Sequence, residues 1–292
     1  PAGPRPPDRG DRMTLIDAIR TFFRKAPGPV HVQDLYAALP DEHEHSIRAR
    51  IYERLGREFK RIGRGLYVAA AGEAVCVVAQ GDAWEEVKKL DSCSIDAVVT
   101  DPPYPWIDHH IGKGTTRPRM RWDFERREID VELGMEIWRV LKEGAHCFVF
   151  VPAETATTKP HIDALLDRLS KCGLRFCKRW VWDKVHPGMG YSGRARYEGL
   201  LLLSKGEKRQ PCDYTVTDVI SVPLIPASRR KHPTEKPVAL LEHLIRFSTK
   251  VGETVLDLFA GACGVGQAAL NLGRNAILFE KNEAMLGGII GP

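Results

Sequence analysis

The stretch Ile95-Asp96-Ala97-Val98-Val99-Thr100 runs straight into Asp101-Pro102-Pro103-Tyr104. Its first part reads as a buried strand, and its second part suits chemistry on an exocyclic amino group. Such a nitrogen is a poor nucleophile because its lone pair is delocalised into the ring. The carboxylate of Asp101 can accept one N–H, and a backbone carbonyl fixed by the Pro102-Pro103 unit can accept the other. Together they localise the lone pair and aim it at an electrophilic methyl. The ring of Tyr104 offers a face on which an extruded base can stack. Taken alone, the tetrapeptide also reads as a Pro-rich turn closing a strand, with Asp101 as a cap.

Outward from this point the chain alternates. Strands are expected at 74–79, 94–100, 145–151, 176–182, 199–204, 254–258 and 276–280, and helices at 82–90, 130–142, 159–172, 237–249 and 264–272. Apolar strands alternating with amphipathic helices predict an α/β sheet covered on both faces. Two stretches, 105–127 and 184–196, break the rhythm with Gly, Arg and aromatic residues, and long irregular loops of this kind tend to carry function.

A second signal lies at Asp257-Leu258-Phe259-Ala260-Gly261-Ala262-Cys263-Gly264-Val265-Gly266. It follows one strand and opens a helix, so glycines can bring backbone N–H groups against a ligand at the helix start. The next strand ends in Glu280, placed to accept hydrogen bonds from ribose hydroxyls. The alternative is a tight turn with a solvated Glu280. A third element, His232-Pro233-Thr234-Glu235-Lys236-Pro237, leads into a helix. Thr234, Lys236 and the free N–H groups there can hold a carboxylate; the bland reading is a capped helix.

Composition sets bounds. The 292 residues are 43% hydrophobic and 28% charged, with a net charge of +5 that permits a polyanionic partner without demanding one. Seven scattered cysteines without a C-x-x-C pair read as reduced thiols of a cytoplasmic protein, not as a zinc site or disulfide framework. No apolar run suggests a membrane span. Residues 1–12 are Pro-rich and charged and are expected to form a disordered leader. Residues 13–72 read as helix, strand, helix, helix and a two-stranded ribbon, followed by a second domain at 73–292. Between His45 and Arg64 the smaller domain carries Arg48, Arg50, Arg54, Arg57, Lys60, Arg61 and Arg64 against only Glu53 and Glu58. Arg48 and Arg54 are its candidate DNA contacts; a solvated face or protein-docking surface is the alternative. Arg117, Arg119 and Arg121 in one irregular loop and Arg194 in the other are candidate phosphate contacts.

Residues 74–285 resemble the DNA amino-methyltransferases of permuted order, in which the catalytic tetrapeptide precedes the cofactor-binding half. The resemblance rests on the three elements above, with Gln80-Gly81-Asp82 and Trp182-Asp183-Lys184 beside them. It implies a Rossmann-like, seven-stranded, mainly parallel sheet and S-adenosyl-L-methionine as methyl donor. It implies catalysis on a flipped base by Asp101, Pro102 and Tyr104. Asp257, Phe259, Gly261 and Glu280 would hold the donor, with Thr234 and Lys236 near its methionine end and Asp82 near its adenine. Ala262 and Cys263 stand where small hydroxyl residues are more usual. Residues 13–70 resemble the winged helix-turn-helix modules of the HARE type fused to restriction and chromatin proteins. No metal is called for. DNA is the expected partner, with a cognate restriction endonuclease or a second copy of the chain as further candidates. Adenine N6 is the expected target. An N4-cytosine enzyme and a non-catalytic DNA-binding subunit of a modification system stay open as alternatives.

Overall fold

The chain divides into two units, Pro1–Glu73 and Ala74–Pro292. The computed structural model describes residues 14–25, 30–53, 59–63, 66–69, 74–104, 127–188, 193–226, 228–230 and 234–282. The expected leader at 1–12 lies outside these, as does most of the 105–127 loop.

The first unit contains α1 (Leu15–Lys25), β1 (Val30–His31), α2 (Val32–Ala38), α3 (Glu44–Tyr52), β2 (Phe59–Gly63) and β3 (Leu66–Ala69). Thr14 starts α1 by accepting the Asp17 N–H at 3.3 Å. His31 starts α2 reciprocally: its ring Nδ1 accepts the Gln33 N–H, and its own N–H donates to the Asp34 carboxylate. The strands form an antiparallel sheet in the order β1-β3-β2. Ile47 and Ile51, four residues apart on α3, are fully buried with Ile19, Leu35 and Phe59. The third helix, α3, ends at Tyr52, and residues 54–58 lie outside the described ones.

The second unit contains β4 (Cys76–Gln80), α4 (Ala83–Glu86) running into a 3-10 turn (Val87–Lys89), β5 (Ile95–Thr100), α5 (Val131–Val140), β6 (Leu141–Val151), α6 (Lys159–Lys171), β7 (Leu174–Asp183), β8 (Tyr197–Lys205), β9 (Val219–Ser221), α7 (Val238–Ser248), β10 (Thr254–Asp257), α8 (Gly264–Asn271) and β11 (Asn275–Glu280). They build one eight-stranded sheet in the order β4-β11-β10-β5-β6-β8-β7-β9. From β4 to β6 every pairing is parallel, β8 runs antiparallel to both β6 and β7, and β9 is parallel to β7. The architecture is the α/β, mainly parallel sheet expected, with one strand more. The extra strand, β9, is three residues long and too short to carry a period-two signature.

All six residues of β5 are buried, as a central parallel strand requires. Leu240, Leu241, Leu244 and Ile245 of α7 and Val265, Ala268 and Ala269 of α8 pack in one core with Val99, Val255 and Leu278. The helix read over 130–142 is shorter. Asp130 caps α5 by accepting the Leu133 N–H at 2.9 Å, but the helix stops at Val140 because Leu141 already pairs with Ile95 across the sheet.

Candidate active site

The strands β5 and β10 are parallel neighbours, with Ala97 opposite Val255 and Val98 opposite Leu256. Their carboxyl ends therefore share one edge of the sheet, the edge on which ligands bind in open α/β folds. Asp101-Pro102-Pro103-Tyr104 leaves β5 there, and the glycine-containing turn leaves β10 beside it.

A buried hydroxyl joins the two. Thr100 Oγ1 donates to Asp257 Oδ1 at 2.9 Å and accepts the Leu258 N–H at 3.3 Å. Asp257 Oδ1 also accepts the Phe259 N–H at 3.1 Å. Burial pushes the Asp257 carboxyl up to about 7 despite those hydrogen bonds, and the charges of Asp101 and Glu280 push the same way.

The turn itself uses left-handed backbone at Gly261 (φ 49°) and Cys263 (φ 58°). Glu280, at the end of β11, straddles it: one carboxylate oxygen accepts the Gly261 N–H at 2.7 Å and the other the Asn282 N–H at 2.8 Å. Each oxygen keeps a further acceptor site, so Glu280 is fixed in place and still has capacity for hydroxyl donors. Gly264 and Gly266 lie in the first turn of α8, whose N-cap residue makes no side-chain hydrogen bond to it. Phe259 meets Trp84 edge-on, with ring centroids 5.9 Å apart. Asp82 caps α4 through the Trp84 N–H at 3.0 Å and pairs with Lys281 at 3.1 Å. Burial opposes the Asp82 charge, but the Trp84 N–H and Lys281 outweigh it and hold the carboxyl below its usual value.

At the neighbouring strand end, Asp101 is engaged on both oxygens. Tyr104 donates its hydroxyl to Oδ1 at 2.8 Å, and Lys236 pairs with Oδ2. The ammonium of Lys236 also lies 3.5 Å from Glu198 Oε2, donates to the Thr234 carbonyl at 3.4 Å and sits 4.9 Å from the centroid of the Phe150 ring. Glu198 pairs through its other oxygen with Lys184 at 2.7 Å. Lys236 is only 10% exposed, and burial disfavours its charge, yet Asp101 and Glu198 more than compensate and raise its pKa. Burial likewise opposes ionised Glu198, and Lys236 and Lys184 overcome it. Tyr104 is pushed well above the ordinary phenol range by burial and by Asp101, so it stays a hydrogen-bond donor.

These groups open onto a cavity of about 410 Å³ lined by Asp101, Tyr104, Trp182, Tyr197, Glu198, Arg230, Thr234 and Lys236, among others. Its outer rim is braced. Arg196 clasps Asp183 with two hydrogen bonds of 2.6 and 2.7 Å, and Ser221 of β9 donates to the same carboxylate.

The residues singled out from sequence thus fall into two neighbouring groups. Asp101, Tyr104, Thr234 and Lys236 line the cavity, with Pro102 buried beside them. Asp257, Phe259, Gly261, Glu280 and Asp82 surround the turn. The Arg194 guanidinium donates to the Gly188 and Pro187 carbonyls of its own loop. Exposed Arg48 pairs with the hydroxyl of Tyr36. Arg54, Arg117, Arg119 and Arg121 lie outside the described residues, as do His232 and Pro233. Sequence reading missed Glu198 and Arg230 as cavity residues, since nothing in their local spacing marks them.

The profile of the DNA methylase family of the N6/N4 type matches residues 95–289. The chain belongs to that family of DNA methyltransferases. It is 28% identical over 247 residues to the DNA adenine methyltransferase YhdJ of Escherichia coli, covering 73% of this chain and 80% of that protein. It is 27% identical to the type II methyltransferase M.HpaI of Haemophilus parainfluenzae, over 69% of each chain. Among solved structures, M1.HpyAVI in complex with SAM superposes with a TM-score of 0.54 at 23% identity, over 73% of this chain and 97% of that one. The cytosine-N4-specific PvuII DNA methyltransferase gives 0.55 at 16% identity, over 77% and 86%. The structural likenesses establish the fold.

Proposed function

We propose that the protein transfers a methyl group to N6 of adenine in DNA, taking it from S-adenosyl-L-methionine and acting on a base turned out of the helix. The observation that carries this reading is the sharing of one sheet edge by Asp101 and the Gly261–Glu280 turn, tied together by the Thr100–Asp257 hydrogen bond.

The order along the chain, tetrapeptide first and glycine turn second, supports the permuted arrangement. Glu280, Asp257, Phe259 and Gly261 fit a nucleoside: a fixed carboxylate with spare acceptor sites faces a turn of left-handed backbone at a helix start. Asp82 sits beside this turn through Trp84, and Thr234 and Lys236 offer polar groups for the carboxylate end. Bound there, S-adenosyl-L-methionine supplies the electrophilic methyl.

The chain's own residues do the rest. Asp101 accepts one N–H of the amino group and the Pro102 carbonyl the other, which restores nucleophilic character to the nitrogen. As the new N–C bond forms, the Asp101 carboxylate is placed to take the departing proton. Tyr104 keeps Asp101 oriented through its hydroxyl and offers its ring to the base, with Trp182 and Tyr197 on the cavity wall.

Three helices and a three-stranded antiparallel sheet among the described residues support reading the first unit as a HARE-type winged helix within a domain at 13–72, with Arg48 and Arg54 as its candidate DNA contacts. A cognate endonuclease or a second copy of the chain is a further candidate partner. The same tetrapeptide geometry serves N4 of cytosine, so the test must separate the two. Mass spectrometry of nucleosides from DNA incubated with the protein and labelled donor should give N6-methyladenine; N4-methylcytosine, or no methylated nucleoside, would refute the proposal.

A further inference from the structure

The most buried charged group in the cavity is one that simple chemistry would keep away from the reacting acid. Asp101 has to accept an N–H from the incoming amino group, but Lys236 occupies its Oδ2 and Tyr104 its Oδ1. An ammonium held against a carboxylate draws off the electron density that the amino group needs. Lys236 cannot simply leave. Its side chain is 10% exposed, and stripping an ammonium of its counter-ion in such a place is among the costlier changes a protein interior can undergo.

A second carboxylate resolves the conflict. Glu198 Oε2 stands 3.5 Å from the same ammonium, a looser contact than the one Lys236 makes with Asp101. Lys184 holds the other oxygen of Glu198 at 2.7 Å and so keeps it in position, while Lys236 and Lys184 together keep it ionised. The Phe150 ring, 4.9 Å from the ammonium, supplies a surface along which a cation can shift without losing contact. Asp101, Lys236, Glu198 and Lys184 thus form a line of alternating charge in which the inner lysine has two seats.

We infer that Glu198 is a positioning residue: it receives the Lys236 ammonium when the substrate amino group takes Asp101. The inference rests on the reading of Asp101 as the acid that holds that amino group. It assigns a role in the reaction to a glutamate at the start of β8 that belongs to neither sequence signature.

The test uses the full chain, its DNA substrate and saturating methyl donor. Glu198→Gln removes the second seat and leaves Lys236 on Asp101, so kcat should fall tenfold or more while the donor Kd, read by calorimetry, stays within twofold. Glu198→Asp should recover part of the rate. The decisive variant is Glu198→Gln with Lys236→Met, assayed at a donor concentration saturating for that variant because Lys236 is also placed at the donor's carboxylate end: with no ammonium left to block Asp101, kcat should rise above that of Glu198→Gln alone. A rate for Glu198→Gln equal to wild type overturns the inference, and so does a double variant slower than Glu198→Gln. Should Glu198→Gln melt well below wild type, Glu198→Asp carries the test, with a lowered kcat at unchanged donor Kd supporting the inference and an unchanged kcat overturning it. Asp101→Asn, run in parallel, separates the two levels. If it is inactive while Glu198→Gln is fully active, only the role of Glu198 fails. If it is active, the reading of Asp101 itself fails.

Discussion

The hydroxyl of Thr100, last residue of β5, donates to the carboxylate of Asp257, last residue of β10, across 2.9 Å of buried space. The same oxygen accepts the Leu258 N–H, so one side chain pins the strand bearing the tetrapeptide to the strand bearing the glycine turn. Thr100→Val preserves shape and leaves both partners short of a hydrogen bond in the interior. We expect a loss of about 1–3 kcal/mol in urea unfolding, together with weaker donor binding by calorimetry. Wild-type stability would mean the pin is not needed.

Asp257 also sets a pH dependence. Burial lifts its carboxyl to about 7 in the folded chain, far above its unfolded value near 3.9. The folded state therefore holds a proton that the unfolded state has given up. The associated stability is complete below about pH 4 and is lost progressively as pH rises toward 7. Asp257→Asn keeps the acceptor oxygen and cannot ionise, so its unfolding free energy should be flatter than wild type across this window. Parallel curves for the two proteins would rule out Asp257 as the source.

His146 acts in the opposite direction. It is 1% exposed on β6, stacked on Phe247 with centroids 5.0 Å apart, and burial followed by the Arg209 charge pushes it down to about 4. A depressed histidine stabilises the fold above its unfolded value of about 6.5, and that contribution is lost as pH falls toward 4, to the extent of about 3 kcal/mol. His146→Phe should remove most of the acid-side slope between pH 6.5 and 4 in urea titrations, and an unaltered slope would place it elsewhere.

Packing around the glycine turn is tight enough to be tested by one methyl group. A Cβ on Gly266 would stand 2.5 Å from Cys76 Sγ and 2.8 Å from Leu278 Cδ1, both in strands covered by α8. Gly266→Ala should therefore destabilise by about 1–3 kcal/mol, although alanine is the better helix former. A melting temperature at or above wild type would show that the strands yield freely.

Much of this was legible beforehand because it is local. A buried strand ending in Asp101-Pro102-Pro103-Tyr104 and a strand–glycine turn–helix ending at Glu280 carry their signals within a few residues. β9 escaped notice because three residues cannot show alternation, and α5 was read too long because Leu141 suits a helix stripe as well as a strand. The charge line through Glu198 escaped for a different reason. It joins β8, the end of β7 and the approach to α7, and no spacing in the chain encodes a meeting of residues 184, 198 and 236.

In the proposed reaction Asp101 acts on the amino group while the neighbouring glycine turn, independently, holds the methyl donor. Asp101→Asn tests it most directly when single-turnover methyl transfer to DNA and donor affinity are measured on the same sample. The expected result is a rate reduced by about a thousandfold or more with donor Kd unchanged within about twofold. A variant that still transfers methyl within tenfold of the wild-type rate would contradict it.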